Sequence, residues 1–178
     1  MNTEFETQIL NADVIKIAER LRALGAIEMP EKFQKRWVFD LASSDDHRSW
    51  VRLRTDGEKT KICYKEKYNA NMDGTKELEI EVDDFDKAYE IISKLNFYND
   101  LYYQEDKATL FYLNDIEFKI DYWPMIPPVL EIEAKSSEKV AEGLKLLDLE
   151  GKEFGHHGYV QIFKEYGIDL HKHKILKF

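Results

Sequence analysis

The sequence predicts an α+β domain: an antiparallel sheet of about eight strands that closes into a barrel tunnel with a charged interior, flanked by about four amphipathic helices. Two patterns carry this expectation. Most of the chain alternates with a period of two, giving strands with one apolar and one charged face, while four stretches space their apolar residues at i, i+3, i+4 and i+7. The 178 residues, 43% of them hydrophobic, are enough to bury a core without disulfides, and residues 1–178 are expected to form one domain.

The elements follow in chain order. From Glu4 to Ile9, Glu4, Glu6 and Gln8 share one face and Phe5, Thr7 and Ile9 the other. A helix is expected behind Asn11, through Val14, Ile17, Ala18, Leu21 and Leu24, stopping at Gly25. A weaker strand spans Arg36 to Asp40. Arg52 and Arg54 then alternate with Val51 and Leu53, and a turn at Asp56-Gly57 leads into Lys61, Cys63, Lys65 and Lys67 opposite Ile62 and Tyr64. Glu77, Glu79 and Glu81 alternate with Leu78, Ile80 and Val82. Phe85, Ala88, Tyr89, Ile92 and Leu95 mark a helix behind Asp83 and Asp84, whose charges suit the positive end of its dipole. Strands are expected over Tyr102 to Leu113, around Glu117, Lys119 and Asp121, and around Glu131 and Glu133. Val140, Ala141, Leu144 and Leu147 mark a helix behind Ser136, and Tyr159, Ile162, Phe163 and Tyr166 the last one, ending near Gly167.

Composition excludes several classes of function. Lys and Arg number 26 against 35 Asp and Glu, a net charge of −9, which disfavours nonspecific binding to nucleic acid or an anionic membrane. Cys63 is the one cysteine, so there is no intramolecular disulfide and no Cys-based zinc site, and it reads as an interior thiol. No run of about 18 apolar residues and no leader-like start is present, so a soluble cytoplasmic protein, monomer or homodimer, is expected. The histidines at 47, 156, 157, 171 and 173 lack metal-ligand spacing and read as surface or turn residues, with Gly155-His156-His157-Gly158 a turn before the last helix. Tyr102, Tyr103, Phe111 and Tyr112 read as packing residues.

A lone charged strand face normally meets water. Repeated on strand after strand, such faces suit a sheet closed around a polar tunnel, with helices covering its apolar outside. A triphosphate, carrying about four negative charges, is a fitting occupant because holding it takes both cationic side chains and a divalent metal. The Glu-x-Glu pairs 4/6 and 131/133 each place two carboxylates on one strand face, within reach of one Mg²⁺ or Mn²⁺. Arg52, Arg54, Lys61, Lys65 and Lys107 are the matching phosphate contacts.

Together, Glu4-Phe5-Glu6, Val51-Arg52-Leu53-Arg54, the Lys61 to Lys67 strand, the Glu77 to Glu81 triplet and the block from Ile120-Asp121-Tyr122-Trp123-Pro124 to Glu131-Ile132-Glu133 resemble the CYTH family of triphosphate tunnel metalloenzymes. The resemblance runs through nearly the whole chain in order. It implies Glu4, Glu6, Glu131 and Glu133 as metal ligands for Mg²⁺ or Mn²⁺, and Glu4, Glu6, Lys65 and Asp121 as the catalytic set. It implies phosphate contacts at Arg52, Arg54, Lys61, Lys65 and Lys107. It also implies a small-molecule triphosphate as partner: ATP, thiamine triphosphate or tripolyphosphate. The chain departs from the family at Gln8, where a lysine is usual and an amide supplies a hydrogen bond without charge, and at Thr109, where a second base is usual. The activity expected is a metal-dependent triphosphatase, with a class IV type adenylyl cyclase as the alternative that the resemblance also implies and a noncatalytic triphosphate sensor as the one that Gln8 and Thr109 suggest.

Overall fold

The computed structural model describes residues 2–3, 5–43, 48–67 and 75–178, with the side chains of 2, 3, 42 and 43 left aside. Glu4 and His47 lie outside the described residues. The strands are β1 (Asn2–Thr3), β2 (Phe5–Ile9), β3 (Ile27–Glu28), β4 (Lys32–Ser43), β5 (Arg48–Thr55), β6 (Thr60–Lys67), β7 (Thr75–Val82), β8 (Asp100–Leu113), β9 (Ile116–Tyr122), β10 (Val129–Ala134) and β11 (Ile175–Leu176). The helices are α1 (Val14–Ala23), α2 (Phe85–Lys94), α3 (Ser137–Leu146) and α4 (Tyr159–Glu165), followed by a short 3₁₀ turn at Leu170–Lys172.

The sheet runs β1-β7-β6-β5-β4-β8-β9-β10-β2, and every neighbouring pair in that order is antiparallel. Eight of its strands are longer than two residues, as the alternation predicts. Asn2 pairs with Glu77 at one end of the order, and Phe5 to Ile9 pair with Ala134 to Leu130 at the other. Both ends therefore belong to one N-terminal stretch, and the curled sheet returns on itself there.

The helices cover the outside of this sheet. Phe111, Phe118, Ile120, Leu130 and Ile132 are buried under α1, through Ile17 and Leu21, and α3, through Val140 and Leu144. Phe39 and Leu53 lie under Ala88 and Ile92 of α2, where Trp37 also stacks on Tyr89 with ring centroids 4.5 Å apart. A third cluster joins Trp123 to Phe163 of α4 and to Leu170 and Leu176. Each large apolar side chain so enclosed contributes about 1.5–3 kcal/mol, and this apolar jacket leaves the opposite sheet face free to carry charge.

The helix starts follow side-chain capping. Asp84 and Ser136 accept the N–H of Lys87 and Lys139, as the sequence suggests. At α1 the cap is Asp13, accepting from Lys16, and not Asn11, whose φ of 55° puts it in the preceding turn. In the β5–β6 hairpin, Asp56 Oδ1 accepts from the backbone N–H of Glu58 and Lys59, and Gly57 supplies the positive φ.

Candidate functional site

Strand register stacks the inner face in layers. Across β2, β10 and β9, Gln8 stands opposite Glu131 and Glu131 opposite Lys119; the next layer brings Glu6, Glu133 and Glu117 together. On the other wall, Arg52 stands opposite Cys63 and Trp50 opposite Lys65. Between the walls lies a cavity of about 410 Å³ whose lining includes Glu6, Gln8, Arg52, Lys65, Lys119 and Glu131.

The carboxylates of Glu6, Glu131 and Glu133 each bring an oxygen within 4.8 Å of the others. Lys119 Nζ is 2.8 Å from Asp121 Oδ2 and 3.7 Å from Glu131 Oε1. Burial and the neighbouring Glu6 charge push the Glu131 carboxyl well above the usual carboxylate range, and Lys119 only partly offsets them. Burial acts the same way on Glu6, but there the His156 hydrogen bond and charge, with help from Lys65 and Lys119, win and hold it below the ordinary value. Lys119 is itself held above its ordinary value: burial opposes its charge, but Asp121 and Glu131 outweigh burial. The crowding of the three carboxyl groups thus shows in the raised proton affinity of Glu131. Their hard oxygen donors fit Mg²⁺ or Mn²⁺, which would hold together what now repels.

The opposite wall is cationic. Arg36, Arg48, Arg52, Lys65 and Lys67 line the cavity, and the Nε atoms of the three arginines are buried with no hydrogen-bond partner among the described residues. Lys65 Nζ lies 3.1 Å from Glu77. Arg36 is ion-paired to buried Asp106, and burial together with Arg52 and Arg54 pulls its proton affinity down to about 9. Arginines grouped with lysines in this way favour an anion with several oxygens.

The residues expected from the sequence divide into those brought to the cavity and those placed elsewhere. Glu6, Gln8, Arg52, Lys65 and Glu131 meet at the cavity. Glu133 adjoins it through the carboxylate cluster. Arg54 and Lys61 share the inner face but sit further along it, paired with Glu79 at 4.0 and 2.5 Å. Asp121 shares the inner parity of Lys119 but is fully buried beside the cavity and is not among its lining residues; Lys119 lies 2.8 Å from it and the Tyr159 hydroxyl donates to it at 2.5 Å. Lys107 is a correction: Tyr102, Gln104, Asp106 and Ala108 take the inner face of β8, so residue 107 points outward, with its amine 5.2 Å from the Phe178 ring. Thr109 shares that outer parity, so no cation is missing from the cavity there.

Sequence reasoning missed Lys119, Arg36, Arg48 and Lys67 as cavity residues. Lys119 was readable from its parity with Glu117 and Asp121. The reading of His156 as a surface or turn residue is corrected too, since it is 3% exposed and 2.8 Å from Glu6 Oε1. Cys63 is the interior thiol expected; burial pushes it up to about 11. No described helix is long and apolar enough to cross a membrane.

No family model and no curated protein matches the chain. Solved structures do. The PH1012 protein of Pyrococcus horikoshii OT3 is 22% identical, with 89% of this chain and 98% of that one covered and a TM-score of 0.71. A Vibrio parahaemolyticus protein provisionally assigned as an adenylate cyclase is 11% identical over 92% of this chain and 98% of that one, with a TM-score of 0.68. HpAC1 of Hippeastrum, a provisionally assigned adenylyl cyclase whose structure is described with a dominant triphosphatase activity, is 13% identical over 93% of this chain and 96% of that one, with a TM-score of 0.58. This chain shares its fold with those proteins, which is consistent with the CYTH-type fold that the strand motifs resemble.

Proposed function

We propose that the chain is a divalent-metal-dependent triphosphatase that binds an organic or inorganic triphosphate in its tunnel. The observation carrying this reading is the juxtaposition, across one cavity of about 410 Å³, of a carboxylate group at Glu6, Glu131 and Glu133 with a wall of Arg36, Arg48, Arg52, Lys65 and Lys67. The arginines suit bidentate contact with phosphate oxygens and the lysines point-charge contact. Lys119 faces the carboxylate side, where it offsets part of its charge, and Asp121, held by the Tyr159 hydroxyl, fixes the Lys119 amine. Glu6, Glu131 and Glu133 would hold Mg²⁺ or Mn²⁺, which when bound neutralises phosphate charge and makes water a better nucleophile. Enclosure by the barrel limits bulk water around the phosphates, which strengthens every one of these contacts.

The triphosphatase activity described for HpAC1 supports hydrolysis over cyclisation. The test is incubation with ATP, thiamine triphosphate and tripolyphosphate under Mg²⁺ and Mn²⁺. Metal-dependent release of orthophosphate is expected. Cyclic AMP with pyrophosphate from ATP, or tight binding of all three without any product, overturns the reading.

A further inference from the structure

The segment between α3 and α4 does more than turn the chain. Phe154 donates its N–H to the Gln8 carbonyl at 2.8 Å, and the Gln8 N–H donates to the Gly155 carbonyl at 3.0 Å, so residues 154–155 extend the sheet beyond the free edge of β2. Gly155 has a φ of 104°, and a side chain there would meet the His157 imidazole at 3.2 Å. Past that bend, His156 crosses the seam between β2 and the β6–β7 wall. Its Nδ1 is 2.8 Å from Glu6 Oε1, its Nε2 is 2.7 Å from Thr75 Oγ1, and its carbonyl accepts the Lys67 amine at 2.8 Å.

Glu6 Oε1 therefore faces His156 Nδ1 and, at 3.3 Å, the Gln8 amide. Both contacts fall on one oxygen. Among the described residues Oε2 has no hydrogen-bond partner, which leaves it for an ion. A carboxylate on the rim of a sheet seam would otherwise be free to rotate, and ordering it beforehand lowers the entropic cost of ligation.

We propose that His156 is a positioning residue for the metal site: anchored on Thr75, it holds Nδ1 2.8 Å from Glu6 Oε1 and by this contact sets the carboxylate that ligates the divalent ion. The inference deepens the metal-dependent reading above and rests on it. The probe is Mn²⁺ alone, titrated calorimetrically into wild-type and variant protein without substrate, with thermal melts as the folding control. His156→Ala is expected to weaken Mn²⁺ about tenfold or more, while tripolyphosphate binding in EDTA stays within about twofold. His156→Gln, whose amide can stand beside Glu6 in place of Nδ1, is expected to recover to within about threefold of wild type. Folded His156→Ala protein that binds Mn²⁺ as wild type does overturns the proposal. Should that variant not fold, Thr75→Val decides: it removes the anchor and keeps the ring, about a threefold loss is expected, and no loss overturns the proposal. Wild-type protein that binds Mn²⁺ but hydrolyses no triphosphate defeats the hydrolase reading and leaves this one standing; wild-type protein that binds no Mn²⁺ defeats both.

Discussion

The side-chain oxygen of Gln8 accepts the backbone N–H of His157 at 2.8 Å, while its amide nitrogen faces Glu6 and Glu131 at 3.3 and 3.5 Å. A neutral group thus stands between two carboxylates at the place where the family usually has a lysine. Gln8→Lys would bring an ammonium there and orphan the His157 N–H. The added charge is expected to strengthen metal-free tripolyphosphate binding by about 1–2 kcal/mol, with a lower melting temperature from the lost acceptor. Calorimetry in EDTA reads the first effect and a thermal melt the second; weaker binding would show that the two carboxylates absorb the charge.

The two faces of the sheet make opposite predictions for two cations. Arg52→Ala removes a cavity donor whose Nε has no partner among the described residues, and tripolyphosphate affinity should drop by about 1.5–3 kcal/mol. Lys107→Ala, on the outer face beside Phe178, should leave that affinity unchanged. Equal losses in both variants would place the ligand outside the barrel.

Lys67 predicts a pH dependence. Burial, with Arg48 and Lys65 adding to it and Glu6 opposing, brings its amine down to about 8 from an ordinary 10.5. The folded protein then holds this proton more weakly than the unfolded chain does. The resulting stability penalty is full below pH 8 and disappears as pH climbs toward 10.5. Lys67→Met should therefore melt higher than wild type at pH 7 in phosphate-free buffer, with the difference closing as pH approaches 10. Near pH 8, tripolyphosphate binding by wild type should take up protons, seen as a heat that varies with buffer ionisation enthalpy; Lys67→Met should lose that part.

Gly143 tests the packing of α3 on the sheet. A Cβ there would come 2.8 Å from Ile132 Cγ2 and 3.3 Å from both Ile116 Cγ2 and Phe118 Cε1, all in the core. The helix propensity gained by Gly143→Ala, up to about 1 kcal/mol, is smaller than an overpacking cost of about 1–3 kcal/mol. A net loss of about 1 kcal/mol is expected, lowering the melting temperature by about 2–4 °C, with tripolyphosphate binding untouched.

Much of this architecture is legible in residue types alone. Glu6, Arg52, Lys65 and Glu131 were found because a period-two pattern states which residues share a face, and the charged face proved to be the inner one. Lys107 misled because β8 mixes polar and aromatic residues on both faces, so its parity depends on where pairing with β4 and β9 begins. His156 gave no signal at all. Its burial depends on residues 154–155 pairing with Gln8, a contact between distant segments that no local spacing encodes. Asp121 has the inner parity that alternation states, but alternation does not show that Lys119 and Tyr159 enclose it.

The N-terminal stretch that completes the sheet has a kinetic consequence. Gln8 meets Glu131 across a sequence separation of 123 and His157 across 149, so these pairings form only when the two extremes of the chain meet. Hairpins such as β5–β6 need no such encounter and are free to form early, whereas ring closure is a slow, high-contact-order event. The carboxylates proposed to hold the ion therefore assemble at the end of folding, and recovery of Mn²⁺ binding during refolding would time the last step of ring closure.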